Sequence, residues 1–438
     1  MANLTDVLTR VDAPKERKDN TNSNDRKKSE SAKHIRVGDE YFKNIERPGK
    51  DGNFYQLLVP RSRQTVKDDT GSFFTEINKF EGFCNVPSHL DYKQEIGGHY
   101  NQYNKITHEP QKGNFENIST LLKHLFNAHY EFILDYFQLL YLEPTRRLPI
   151  LLLESKERNT GKSTFGNLIR YIFQENAIKI GNSELSSDFN AIWAPKLLVV
   201  VDEASLNNDL IMEMIKRFST ETGKITINEK GRKQYQIEYF GKHIFISNQE
   251  GKALNIGKGE NRFAVFKVPT LQTSGLNDDP DIETKIKEEI PAFLYFLKNR
   301  ELKYKQEASR MYFPFEAYKT DQLELYYRNS VSGVSKAVLD LLNYGFEIFS
   351  ERQVLNFSAA ELLNELIQTK RVKASTTSIQ LKNAVENELG VKLNKKGRYK
   401  YFSPFKYDME AIKDNYLGDS GSPNTFYSFD RDKFSILE

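Results

Sequence analysis

One cysteine, Cys84, and one tryptophan occur among 438 residues. A single thiol excludes a disulfide framework, and any zinc site would have to rest on His and carboxylates. A dominant charge is missing as well: 63 Lys and Arg face 60 Asp and Glu, a formal net charge of +3. Any basic surface must therefore be local. Apolar runs are short, the longest being strand-sized like Leu197 to Val201. Neither a membrane span nor a signal-peptide core is expected, and with so few thiols a cytoplasmic protein is.

What is present divides the chain into roughly two to four domains' worth of sequence. Residues 1–35 read as a disordered tail, because Ala13 to His34 holds no aromatic or β-branched aliphatic residue. Residues 36–114 mix short aromatic runs with Gly and Pro, the pattern of a small α+β unit. In residues 115–145, Leu121, Leu122, Leu125, Phe126, Tyr130, Ile133 and Leu134 recur at helical spacing until Pro144. They predict a helical collar. Residues 146–270 alternate "LPILLLE", "KSTFGNLIRYIFQ", "KLLVVV", "NDLIMEMIKRF" and "KHIFIS". That order predicts an α/β core with a parallel sheet. Residues 271–330 read as a helical connector and residues 331–438 as a further unit.

The stretch "SKERNTGKST", Ser155 to Thr164, sits between a buried strand and a helix. It has the spacing of a phosphate-binding P-loop, except that Lys156 stands where the leading glycine is usual. The free N–H groups and dipole of the helix N-terminus favour a phosphate there. Asn159, Thr160, Gly161, Lys162, Ser163 and Thr164 form the candidate nucleotide cradle. Gly161 gives close backbone approach, Lys162 reaches the β and γ phosphates, and the Ser163 hydroxyl holds Mg2+. Taken alone, "TGKST" is also what a helix start without a ligand looks like. A second buried strand ends in Asp202 and Glu203, one acid for the metal and one to polarise the attacking water. A third ends in Asn248, a neutral amide suited to orienting that water. Arg262 is a candidate arginine finger toward a nucleotide held by a neighbouring subunit. A turn residue and a surface ion pair are the ordinary readings of those last two.

Between the acids and Asn248 lies "GKITINEKGRKQYQIEYFGK". Its two alternating halves predict a β-hairpin with Lys230, Arg232 and Lys233 at the tip. In a ring-shaped motor such a tip grips the phosphates of a single strand; otherwise it is a solvated turn.

The order of these motifs resembles the superfamily 3 helicases of viruses, phages and plasmids, ring-forming members of the AAA+ class. The nearest likeness is to the helicase part of phage and mobile-element primase-helicase proteins. It rests on Ser155 to Phe165, Lys196 to Ala204, Lys230 to Lys242, Ser247 with Asn248, and Arg262 with Phe263, and it covers roughly residues 115–270. The resemblance implies an AAA+-like P-loop ATPase using ATP and Mg2+, a homo-oligomer, a hexamer by family habit, and a single DNA strand in its channel. Two departures are Lys156 and Lys224, the latter where many members carry an acid. Before residue 115 no convincing cluster of Asp, Glu and His marks a primase, so a partner primase would be a separate protein.

At the C-terminus, "SAAELLNELIQTKRV" opens on a capping box, Ser358 with Glu361. "TTSIQLKNAVENEL" follows and stops at Gly390, and "VKLNKKGRYKYF" reads as a hairpin tipped by "NKKGR". Helix, turn, helix and basic hairpin predict a winged-helix domain. From Lys370 to Lys400 nine Lys or Arg face two Glu, a local excess of +7. Lys382, Lys395, Lys396 and Arg398 are the candidate contacts to duplex or forked DNA; a protein-docking module of the same shape is the alternative. The combined expectation is an ATP-dependent replicative DNA helicase. Its rivals are an initiator or loader that uses ATP to assemble on origin DNA, and a DNA-binding regulator with an inactive nucleotide site.

Overall fold

The computed structural model describes residues 23–48, 54–204, 209–220, 223–254, 256–257, 259–306, 311–394, 396–403 and 417–434. Two compact units are formed, Met1–Val86 with Asp91–Asn104, and Pro87–Leu90 with Lys105–Glu438.

In the first unit, α1 (Ser23–Lys33) runs into β1 (His34–Val37), followed by β2 (Glu40–Pro48), β3 (Phe54–Arg61), α2 (Arg63–Thr70) and β4 (Asn78–Phe80). The sheet order is β3-β2-β1-β4, with β4 parallel to β1 and the other pairs antiparallel. Ile35, Val37, Phe42 and Phe80 form its small core. A second sheet joins β5 (Phe83–Cys84), β6 (Glu95–Ile96) and β7 (His99–Asn101). The expected disordered tail needs correction from Ser23 onward, where the chain is helical; residues 1–22 lie outside the described residues. Composition does not show the contacts that α1 makes with residues distant in sequence, among them the pair of Glu30 with Lys43 of β2. Glu30 bridges Lys33 at 3.0 Å and Lys43 at 2.5 Å, while the buried His34 lies 3.1 Å from Asp69 of α2.

The second unit opens with two helices, α3 (Glu116–Phe126) and α4 (Tyr130–Leu142). Phe115 offers no side-chain cap to α3. Glu289 does so instead, accepting from the N–H groups of Asn117 (3.1 Å) and Ile118 (2.9 Å), where a carboxylate also meets the positive end of the dipole. Then come β8 (Ile150–Glu154), α5 (Lys162–Phe173), β9 (Ala177–Ile180), α6 (Asn182–Leu185), β10 (Leu198–Val201), α7 (Asp209–Thr220), the hairpin β11 (Lys224–Ile227) and β12 (Tyr235–Glu238), β13 (Lys242–Ser247) and β14 (Phe263–Lys267). Strands β14-β8-β13-β10-β9 form one sheet in which every pair is parallel. All residues of β8, β10 and β13 are buried, as expected of a sheet covered on both faces. Helix α5 packs closely at Gly166, where an added Cβ would meet Ile246 at 3.2 Å and Val200 at 3.3 Å. Two further helices, α8 (Ile282–Asn299) and α9 (Asp321–Ser330), complete this part.

The C-terminal part holds α10 (Gly333–Ile348), β15 (Val354–Phe357), α11 (Ala359–Gln368), α12 (Ser378–Lys382), β16 (Lys400–Phe402), β17 (Leu417–Asp419), β18 (Tyr427–Asp430) and α13 (Arg431–Phe434). It has its own apolar cluster, including Leu341, Phe346, Leu366, Leu381 and Phe429. The capping box of Ser358 and Glu361 is present, and Thr377 with Gln380 forms another. Helix α12 continues as a π turn over Asn383–Glu388.

Among the described residues the expected "NKKGR" hairpin is not formed. Asn394 donates its N–H to Phe426 O (2.8 Å) and Gly397 pairs with Asn424, while Lys400–Phe402 pairs antiparallel with β17 and touches β15 in parallel. Local alternation suggested a turn, but the backbone partners lie farther along the chain. Lys395 lies outside the described residues; Lys396 and Arg398 are exposed.

Candidate nucleotide site

Because the sheet is parallel, β8, β13 and β10 end at one edge, and the segments leaving them meet there. Ser155 N–H donates to Ser247 O at 3.2 Å, Ala204 N–H to Ile246 O at 2.7 Å, and Ser247 Oγ to Ala204 O at 2.7 Å. This lattice lashes the loop after β8 and the turn after β10 to the strand between them. Asn248, exposed, follows directly on that strand.

Within the loop, positive φ falls at Asn159 (53°) and Gly161 (76°), not at Lys156. Asn tolerates that region and Gly enters it freely. Positive φ thus falls three residues after the position of the usual leading glycine, and again at Gly161. Lys156 and Arg158 are exposed. Gly161 must also be small, since a Cβ would meet Leu121 at 3.1 Å. Lys162 begins α5 as a buried residue, 4% exposed, and Nζ donates to Thr160 Oγ1 at 3.0 Å. Burial lowers its pKa, while the fields of Asp202 and Glu154 act in the opposite sense. A lysine held at the start of a helix is suited to a polyanion. Ser163 stands exposed in the same first turn.

At the end of β10, Asp202 Oδ1 accepts the N–H of Glu203 at 3.1 Å, and Oδ2 lies 2.6 Å from Lys179 Nζ. Glu203 is exposed with φ of 53°, an unusual conformation for this residue. Its carbonyl accepts from Asn182 Nδ2 at 3.1 Å. A serine hydroxyl and a carboxylate are hard oxygen donors, so Ser163 and Asp202 fit Mg2+ in chemistry.

Arg262 is not at this edge. It precedes β14, whose Phe263 pairs with Ile150 and Lys267 with Glu154, so it lies a strand length, roughly 15 Å, from the end of β8. Its Nε is 3.4 Å from Glu260. The β11–β12 hairpin forms as expected, Lys224 opposite Glu238 and Ile227 opposite Tyr235. Lys230 and Lys233 at its tip are exposed, whereas Arg232 donates to Glu229 at 2.8 Å and is half-buried. Reciprocal Asn190 and Asn228 bonds of 3.2 and 2.8 Å latch the hairpin to the chain before β10.

Residues 153–262 match a protein family of unknown function, DUF5906. That span runs from the end of β8 through Arg262 and so holds nearly every element of the candidate site. The fold resembles the apo structure of the C-terminal region of NrS-1 (305–718), with a TM-score of 0.56 at 17% identity over 82% of this chain and 87% of that one. An A-form apo structure of the same region gives 0.60 at 16% identity over 90% and 95%. At such identities the likeness is one of fold. No curated protein sequence matches the chain.

Sequence reasoning overlooked several groups at this edge. Glu154 is fully buried and accepts from Tyr326 Oη and Gln322 Nε2 of α9 and from Gly251 N–H (3.0 Å); burial raises its pKa. His124 of α3 bridges Thr160 O (3.1 Å) and Ser274 Oγ (2.7 Å). It borders a cleft of about 770 Å3 shared with Lys123, Asn127, Phe266, Lys319 and Asp321, on the β14 side of the loop. None had a local signal, because each acts through partners distant in sequence. Among the described residues no helix is long and apolar enough to cross a membrane.

Proposed function

We propose that the chain is an ATP-dependent DNA helicase for replication of a phage or mobile element, working as a homo-oligomeric ring, a hexamer by the superfamily 3 resemblance. The observation that carries this reading is the single sheet edge shared by the Lys162 loop, Asp202 with Glu203, and Asn248. The sheet order supports it too, with the Asn248 strand between the loop strand and the acid strand. In this reading the N–H groups at the start of α5 and Lys162 bind the phosphates. Ser163 and Asp202 would hold Mg2+, which when bound neutralises phosphate charge. Glu203 accepts a proton from the attacking water and Asn248 orients it. The acids flank one side of the loop strand and the His124 cleft the other, so the nucleoside end belongs in the cleft. Arg262, a strand length from its own subunit's loop, suits action on a neighbour's nucleotide. Lys230 and Lys233 would contact one DNA strand. The C-terminal part, with Lys382, Lys396 and Arg398 exposed, is proposed as a winged-helix contact to duplex or fork.

DNA-stimulated ATP hydrolysis by the wild type and by Lys162→Ala tests this reading, together with strand displacement on a forked substrate. Turnover lost in Lys162→Ala and unwinding by the wild type are the expected results. Turnover without unwinding would favour a loader. No turnover would leave a DNA-binding regulator.

A further inference from the structure

Strand β9 lies on the outer side of β10, with Lys179 opposite Val200 and Ile180 opposite Val201. Asp202 N–H still donates to Ile180 O at 3.0 Å, so the chain leaves β10 pinned to its neighbour. From that neighbour Lys179 reaches Asp202 Oδ2 at 2.6 Å, while Oδ1 is held by Glu203 N–H. Both oxygens of the carboxylate are engaged, one of them by a full positive charge. The two side chains are 28% and 30% exposed, so the pair can open without disturbing the core.

We propose that Lys179 is a tethered competitor of the divalent cation at Asp202, setting the Mg2+ concentration at which nucleotide binds together with metal. The inference rests on the nucleotide-site reading above. An ammonium at 2.6 Å and a dication with its water shell cannot share one carboxylate oxygen, because like charges at contact repel strongly where water is partly excluded. Metal entry therefore requires Lys179 to withdraw, and the free energy of the ion pair is subtracted from metal binding. Lysine suits this role: its compact charge sits on a flexible stem that can swing into solvent. Lys179 acts through Asp202 and is a positioning residue.

The test uses the full chain and a fluorescent ATP analogue at fixed concentration, titrated with Mg2+ and also measured in EDTA. Lys179→Met is expected to lower the Mg2+ midpoint by about fivefold, the value of one partly exposed ion pair, without tightening nucleotide binding in EDTA. Lys179→Arg should keep the wild-type midpoint, and Lys179→Gln, which retains a polar tip, should behave as the Met variant does. In an Asp202→Asn background Lys179→Met should add no further shift, since the pair is already absent. An unchanged or raised midpoint in both neutral variants overturns the proposal, as does the same shift in the Asp202→Asn background. Wild-type binding that survives Lys162→Ala overturns the underlying site reading instead, and this inference with it.

Discussion

The phenol of Tyr326 donates a hydrogen bond to the buried carboxylate of Glu154, joining the last residue of the loop strand to helix α9. The same hydroxyl accepts the N–H of Ala253 at 3.1 Å, in the segment that follows Asn248. Asn329 Nδ2 adds a bond to Gly251 O at 3.0 Å. Helix α9 thus braces the strand before the loop and the chain after Asn248. Tyr326→Phe removes one donor and one acceptor from buried partners. It should cost about 1–3 kcal/mol in urea unfolding. A loss within experimental error would mean that the brace is energetically idle.

In the loop, the demand for positive φ sits at Asn159 and Gly161. Gly161→Ala should lose about 1–2 kcal/mol from backbone strain alone, with further loss from the Leu121 contact, and nucleotide binding should weaken. Asn159→Gly should fold and bind normally. Lys156→Gly should bind nucleotide within about twofold of Lys156→Ala, because glycine is an advantage only where its freedom is used. Markedly tighter binding by the glycine variant would restore the leading-glycine requirement.

Arg262 lies just before β14, a strand length from the loop of its own chain. Arg262→Ala is expected to lower kcat by about 10³ with little change in nucleotide affinity. Mixing it with Glu203→Gln subunits should recover part of the activity, because some interfaces then pair an intact finger with an intact acid. Unchanged turnover in Arg262→Ala would remove the residue from the reaction.

His243 at the start of β13 is buried, 3.3 Å from Tyr239 Oη, and burial pushes its pKa down to about 4 from 6.5. A depressed pKa means that the unfolded chain takes up the proton first. The stability it contributes is full above pH 6.5 and is lost as the pH falls toward 4. The slope from this group is at most about 1.4 kcal/mol per pH unit. His243→Gln, which takes up no proton, should flatten unfolding free energy across that window. An unaltered profile would show that His243 titrates normally.

Much of the candidate site was legible because its parts are local. Lys162 opens a helix, Asp202 and Asn248 end buried strands, and capping chemistry at Ser358 fixes a helix start within four residues. The errors arose where order depends on distant partners. The Glu30–Lys43 ion pair ties a polar helix to β2, and Phe426 and Asn424 take the backbone bonds that a hairpin at "NKKGR" would have used.

The sequence alone determined the motifs and their order along the chain, since the apolar strand, the glycine and the acid each carry their physics in a short window. Tertiary structure decided which of them meet. Parallel pairing gathers the ends of β8, β13 and β10 at one edge, sends Arg262 to the other, and brings Lys179 from an adjacent strand onto Asp202. It also places Tyr326 against Glu154, because a carboxylate buried by the fold must find its donors wherever packing supplies them.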